Sequence, residues 1–399
     1  MSDFDELLAE YTSKGNAEVH GALFKVVDKN GKQIYSKIAG YDSLSEDASP
    51  LKEDAVFKGA SMTKLITSIA LLQCIEKGLI GLDEPLDKIL PELTNKEILT
   101  GESDGKLITK LSTKKVTARH LLTHTSGLGY AMMHPLLTKW AETEQGKQAA
   151  SSQITAEYFN YPLIFEPGEG WLYGPSIDWA GIVVRRLNGN MSLEEYFIEN
   201  IWEPLGLVAP FPTFHLSAHP EYAARLQQAG ERAPDGGLKP GLLDFGDNAV
   251  DQTGGDGLCF TAADYLAVLK DIISDTPKLL KADTVDQMFA PQLAEDSPPI
   301  SMMRELNLGM GLLGGRDLDK HMNHGLAGAI AGGVPENYQP KKVLGWAGAT
   351  NPVWFASRVA GVAGLFATQI APFADSAVIN LVQAWKKDFW GNYYECGEW

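Results

Sequence analysis

The chain reads as an α/β (α+β) unit: an antiparallel sheet assembled from both termini, flanked by helices, with a mainly helical region inserted between them. Three observations predict this. Near the start, the β-rich runs Ala22–Val27 and Gln33–Ile38 flank Asn30-Gly31, a dipeptide of tight hairpin turns. In the last third, β-rich runs return at Lys342–Gly348, Val353–Val359 and Val362–Ile370. Helix and turn signals dominate the stretch between. The 399 residues therefore read as one unit, with residues 1–60 and 310–399 forming an α/β lobe and residues 61–309 a mainly helical lobe.

In order, Phe4, Leu7, Leu8 and Tyr11 have helical spacing and predict a short leading helix. Met62 to Lys77 predicts a long apolar helix, with Leu65, Ile69 and Leu72 one turn apart and Gly78 as its stop. Helices are also predicted at Thr117–Leu122, Ser176–Leu187 and Ala262–Ser274. Gly254-Gly255-Asp256-Gly257 reads as a tight loop before the last of these. An amphipathic helix over Phe373–Trp390 closes the chain.

Composition narrows the functional classes. Apolar residues make up 44%, ample for a core. With 34 basic and 51 acidic side chains, the net charge of −17 repels polyanions and disfavours nucleic acids and anionic membranes. Lys114-Lys115, Arg185-Arg186 and Lys341-Lys342 are the candidate basic patches, each reading first as solvated surface charge. The three cysteines, Cys74, Cys259 and Cys396, form no C-x-x-C pair, so reduced thiols are expected. Met1 to Glu6 lacks the basic and apolar regions of a signal peptide, and no run of about 18 apolar residues occurs. A cytoplasmic protein is expected.

Four Ser-x-x-Lys pairs occur: Ser49-Lys52, Ser61-Lys64, Ser103-Lys106 and Ser112-Lys115. On a helix this spacing sets a nucleophile and a base on one face. Ser49 precedes Pro50 and Lys52 lies in a charged loop, Ser103 lies in a polar turn, and Ser112 is followed by Thr113-Lys114-Lys115, an exposed basic stretch. Ser61 alone follows small residues and precedes a long apolar helix. There backbone N–H groups can stabilise an oxyanion, and burial is expected to lower the Lys64 pKa. Local sequence leaves capping of the helix by Ser61 as an equal alternative. The Gly-x-Ser-x-Gly match at Gly101–Gly105 has too short an apolar lead to be a nucleophile elbow and reads as a surface turn.

A tyrosine suits the third position, because a lysine ammonium stabilises tyrosinate. Tyr173 follows the Pro167-Gly168 turn and precedes a helix, which favours it over Tyr158, whose setting reads as ordinary helix packing. A rim tyrosine remains the alternative for Tyr173. His120 and His124 have the spacing of two metal ligands on one helix, but no H-E-x-x-H occurs, and His321 with His324 is weaker. The Gly254–Gly257 run lacks a Walker lysine. No metal and no cofactor is expected.

Together these stretches resemble serine β-lactamase-like proteins, the group of class C β-lactamases, family VIII carboxylesterases and D-alanyl-D-alanine peptidases. The resemblance rests on Ser61-Met62-Thr63-Lys64, Gly81–Pro85, His120–Leu128, Glu166-Pro167-Gly168 with Tyr173, and Gly254–Leu258, in that order. Ala60–Leu65 and Gly345–Ala349 look most similar to fungal transesterases within it. The resemblance implies a β-lactamase/DD-peptidase-like fold, Ser61 as acylated nucleophile, and Lys64 with Tyr173 as acid/base pair. It also implies an oxyanion hole from the backbone of Ser61 and Ala349, and a substrate-lining strand at Trp346, Ala347 and Gly348. Trp346 stands where β-lactamases carry the lysine of Lys-Thr-Gly, and Pro175 where they carry the asparagine of Tyr-x-Asn. Both departures favour esters or thioesters with apolar acyl groups over β-lactams. The expected activity is acyl transfer in secondary metabolism, or ester hydrolysis, with an acyl carrier protein as one implied donor. A β-lactamase, a D-amino-acid peptidase and a non-catalytic scaffold are the alternatives.

Overall fold

The computed structural model describes residues 2–15, 17–242, 251–306, 310–313 and 322–396. Their strands are β1 (Gly21–Asp28), β2 (Gln33–Gly40), β3 (Val56–Lys58), β4 (Glu97–Ser103), β5 (Lys106–Leu111), β6 (Gly230–Arg232) and β7 (Leu238–Pro240). They continue with β8 (Cys259–Thr261), β9 (Asn323–His324), β10 (Ala329–Ala331), β11 (Val343–Ala347), β12 (Val353–Ser357), β13 (Val362–Ala367) and β14 (Ile370–Ala371).

The main sheet has seven strands in the order β2-β1-β13-β12-β11-β10-β9. Both chain ends therefore build it. The seam is β1 against β13, with Leu23 opposite Ala367 and Asp28 opposite Val362. The predicted third C-terminal strand ends early: after Ala367 the chain leaves the sheet, and Ile370-Ala371 pairs in parallel with β6 instead.

Helices cover both faces of this sheet, which explains why β11, β12 and β13 are buried along their whole length. The Ser376–Cys396 helix lays Trp385 and Trp390 against Phe355, at ring separations of 5.6 and 5.3 Å. It starts three residues later than predicted, where the Asp375 carboxylate accepts from the N–H groups of Ala377 and Val378. The leading helix, Asp3–Tyr11, sets Phe4 edge-on to Phe24 of β1 at 5.2 Å.

The inserted region is organised around the Thr63–Glu76 helix, whose residues from Thr63 to Cys74 are all buried. A helix apolar all round is a core helix. It packs on the Ser176–Leu187 helix, at the span the sequence predicted. The Gly-x-Ser-x-Gly match lies at the tip of the β4–β5 hairpin, with Asp104 and Gly105 in the left-handed region at φ +50° and +74°. It is an exposed turn, as expected. Among the described residues no helix is long and apolar enough to cross a membrane.

Candidate active site

Ser61 lies in a single 3-10 turn, Ala60–Met62, that runs directly into the Thr63–Glu76 helix. Neither turn nor helix takes a side-chain cap from Ser61, so the capping alternative falls. Ala60, just before it, is held at φ +44°, a conformation costly for a residue with a Cβ. Gly59 must be a glycine, since a Cβ there would stand 2.2 Å from the Phe260 ring. A Cβ on Gly348 would meet the Gly59 carbonyl at 2.4 Å. Two glycines thus let the Ser61 turn close on the end of β11.

The Ser61 hydroxyl is 2.6 Å from the Tyr173 hydroxyl, and the Lys64 ammonium donates to Ser61 Oγ at 3.2 Å. The other two ammonium protons go to the Gly255 carbonyl at 2.8 Å and Tyr130 Oη at 3.3 Å. All three donors of Lys64 are therefore used. The expected downward pKa shift is corrected here. Burial pulls Lys64 down, but its interactions with Tyr173 and with the acidic Asp178 and Asp256 outweigh it and raise the pKa. The buried side chain is an ammonium.

Two residues that the sequence did not single out complete the cluster. Tyr130 donates to Asp178 Oδ2 at 3.2 Å, and burial together with the Asp178 charge pushes its pKa well above the usual phenol range. Asp178, in the first turn of its helix, also accepts the Gly255 N–H at 2.9 Å. Burial raises the Asp178 carboxyl to about 7, against the pull of Lys64. The Gly254–Gly257 loop is more than a tight turn. Its Gly255 carbonyl holds Lys64, its Gly254 carbonyl accepts from Thr67 Oγ1 at 2.6 Å, and a Cβ on Gly255 would lie 2.5 Å from Asp178 Oδ2.

Tyr173 is delivered by the turn that begins at Glu166. Burial would raise the Glu166 carboxyl, but hydrogen bonds from the Lys114 N–H, Ser112 Oγ and Thr113 hold it at about 2. Thr113, Lys114 and Lys115 are exposed as expected, whereas Ser112 itself is buried and donates to Glu166. Ser49 and Ser103 are exposed and bonded only locally, so Ser61 alone of the four candidates has the full set of partners. Tyr158 is 37% exposed, on the surface rather than in a packed helix interface.

Trp346, Ala347 and Ala349 line a cavity of about 300 Å³ together with Ser61, Tyr130 and Tyr173. Met132, Met133, Leu313 and Phe373 supply the rest of an apolar wall, with Asp256 as its acid. Gly348 sits beneath, bonded through its N–H to the Pro352 carbonyl at 2.8 Å. Trp346 lies 5.5 Å from the Tyr173 ring, and His124 stacks on it at 6.2 Å. His120 and His124 do not converge. His120 Nδ1 accepts the Thr117 N–H, whereas His124 turns into the aromatic cluster, where burial keeps it neutral. His321 lies outside the described residues, and among those described no three potential ligands gather to hold a metal ion.

Comparison with known proteins fits this arrangement. Residues 4–386 match the Beta-lactamase family. The chain is 51% identical to acyltransferase calJ of Penicillium decumbens, over 98% of this chain and 99% of that one. It is 32% identical to the lovastatin esterase of Penicillium rubens, over 94% and 95%. Unliganded simvastatin synthase (LovD) from Aspergillus terreus superposes with a TM-score of 0.88 at 31% identity, covering 99% of this chain and 98% of that one. A buried Ser–Lys–Tyr cluster under an apolar wall, on this fold and with these relatives, makes the chain a member of the β-lactamase family, alongside its fungal secondary-metabolite acyltransferases and esterases.

Proposed function

We propose that the protein transfers an apolar acyl group through an acyl-enzyme on Ser61, from an ester or thioester to the hydroxyl of a secondary metabolite. The observation that carries this is the 2.6 Å contact of Ser61 Oγ with Tyr173 Oη, beside an ammonium with all its donors engaged. In the reactive form Tyr173 is a tyrosinate stabilised by the Lys64 ammonium; it takes the Ser61 proton as Oγ attacks the carbonyl and becomes the neutral phenol. Tyr130 cannot share that task, since burial and Asp178 keep it protonated. It positions Lys64 instead. The backbone N–H groups of Ser61 and Ala349 stabilise the tetrahedral oxyanion. The leaving alcohol or thiol then regains a proton from Tyr173. The acceptor hydroxyl surrenders its proton to the same group and attacks the acyl-enzyme, releasing Ser61.

An apolar wall that excludes water favours an alcohol as acceptor over hydrolysis, in line with the 51% identity to an acyltransferase. With Trp346 in place of a cationic side chain, that position offers a β-lactam carboxylate no ion pair. A carrier protein as thioester donor would need basic surface for docking. Lys114, Lys115, Arg185 and Arg186 are engaged with Glu169, Asp87, Asp251 and Glu92. The exposed Lys341-Lys342 pair, at the start of β11, is the better docking candidate.

The test is Ser61→Ala with p-nitrophenyl butyrate. Turnover should vanish, and mass spectrometry of the wild-type protein mixed with an acyl thioester should find the acyl group on the Ser61 peptide. Retained turnover in the pure variant overturns the reading.

A further inference from the structure

Lys386 is a buried lysine that the chemistry at Ser61 does not use. It lies on the Ser376–Cys396 helix, with no exposed surface. Its Nζ donates to the Leu312 carbonyl at 3.0 Å and to the Leu313 carbonyl. One turn earlier on the same helix, Gln383 Nε2 donates to the Gly311 carbonyl, while its Oε1 accepts from Asn337 at 2.7 Å. Ile379, a further turn back, lies under Gly311, where a Cβ would be 3.1 Å from its side chain. One helix face thus grips three consecutive residues of the short Met310–Leu313 helix.

The grip reaches the substrate cavity. Leu313 lines it, and the Leu313 side chain rests on β11, 3.7 Å from where a Gly345 Cβ would stand. Phe373, which lines the same wall, leads into the gripping helix. Among the described residues Lys386 has no counter-ion, and a buried charge left so is costly. Burial alone draws the Lys386 pKa down to about 7. An apolar residue would fill such a core site at less cost, and packing alone does not account for a lysine there. What the amino group does there is hold two adjacent carbonyls at the end of a helical turn.

We propose that Lys386 is a positioning residue that fixes Leu313, and through it the depth of the acyl side of the cavity, so that it selects long apolar acyl groups over short ones. This rests on the acyl-enzyme reading above. The experiment compares p-nitrophenyl hexanoate with p-nitrophenyl acetate on Lys386→Met, Leu313→Ala and the double variant. Lys386→Met should lower the hexanoate-to-acetate ratio of kcat/KM about tenfold, the scale of one or two lost methylene contacts. The loss should lie in KM for hexanoate, with acetate turnover within twofold of wild type. Leu313→Ala should lower the ratio likewise, and the double variant no further, because both act on one wall. Gln383→Leu, which releases only Gly311, should shift the ratio in the same direction by less, and it stands in if Lys386→Met does not fold. An unchanged ratio in a folded Lys386→Met, or in its stand-in, overturns the inference, as does full additivity with Leu313→Ala. Absence of all ester cleavage by the wild type would instead sink the acyl-enzyme reading.

Discussion

The two sides of the cavity are built on different principles. The side carrying Ser61 is a closed hydrogen-bond network in which Lys64, Tyr130, Tyr173, Asp178 and the Gly255 backbone each satisfy another member. Among the described residues, the side carrying Trp346, Leu313 and Phe373 has no such network between side chains and is held by packing and by the frame behind it. A network of short, buried polar contacts tolerates no change of length or charge, whereas an apolar wall is reshaped by exchanging one side chain for another. The chemistry is thereby fixed on one side, while substrate choice is left adjustable on the other.

The comparison is most exposed to failure at its polar side. Tyr173→Phe removes only a hydroxyl, yet kcat for p-nitrophenyl butyrate should fall by roughly 10²–10⁴-fold, the usual weight of a proton-transfer group. A fall under tenfold would mean that Lys64 can act alone. Gly255→Ala probes the same network through the backbone. Its Cβ would press on Asp178 and displace the carbonyl that holds Lys64. Steady-state kinetics should show at least a tenfold loss of kcat, and a thermal melt a cost of about 1–3 kcal/mol from overpacking.

The apolar side should respond in selectivity rather than in chemistry. Trp346→Ala should lower kcat/KM for p-nitrophenyl hexanoate about tenfold, and for the acetate by less. Equal losses on both esters would place Trp346 with the polar side. The smallest effect should come from Glu166, behind the turn that delivers Tyr173. Its folded pKa, about 2, lies below the ordinary 4.5. Its stabilisation is therefore complete above that ordinary value and fades as pH falls towards about 2. Glu166→Gln should cost roughly 1–3 kcal/mol at pH 7, from buried donors left poorly paired. Melts across pH should show that deficit shrinking below about pH 4, while kcat at pH 7 changes little.

Much of the polar side was legible in the sequence because its chemistry is local. Ser61 and Lys64 share one helix, and a Pro-Gly turn announces Tyr173. What escaped is what arrives from far along the chain. Asp178 reads like any acid in a first helical turn, and only Gly255 and Tyr130, distant in sequence, give it a different task. The direction of the Lys64 shift failed for the same reason: burial is visible in an apolar helix, but the opposing anions are not. Nothing in the exposed basic stretch after Ser112 announces that its hydroxyl bonds Glu166, 54 residues on. The sheet was easier. Its five longer strands were read from the sequence, which missed the short β9 and β10, the exit after Ala367 and the small pairs outside the sheet, among them the β4–β5 hairpin, whose outer positions Ile108 and Leu111 are exposed.

The seam between β1 and β13 joins residues 23–28 to residues 362–367. During synthesis the first hairpin emerges from the ribosome long before its partner exists, and an unpaired edge strand invites aggregation. Trp346 and Ala349 reach the cavity only as that partner is being made. A nascent chain thus carries Ser61, Lys64 and Tyr173 well before Trp346 and Ala349, so the polar side of the cavity is made before the apolar side that completes it.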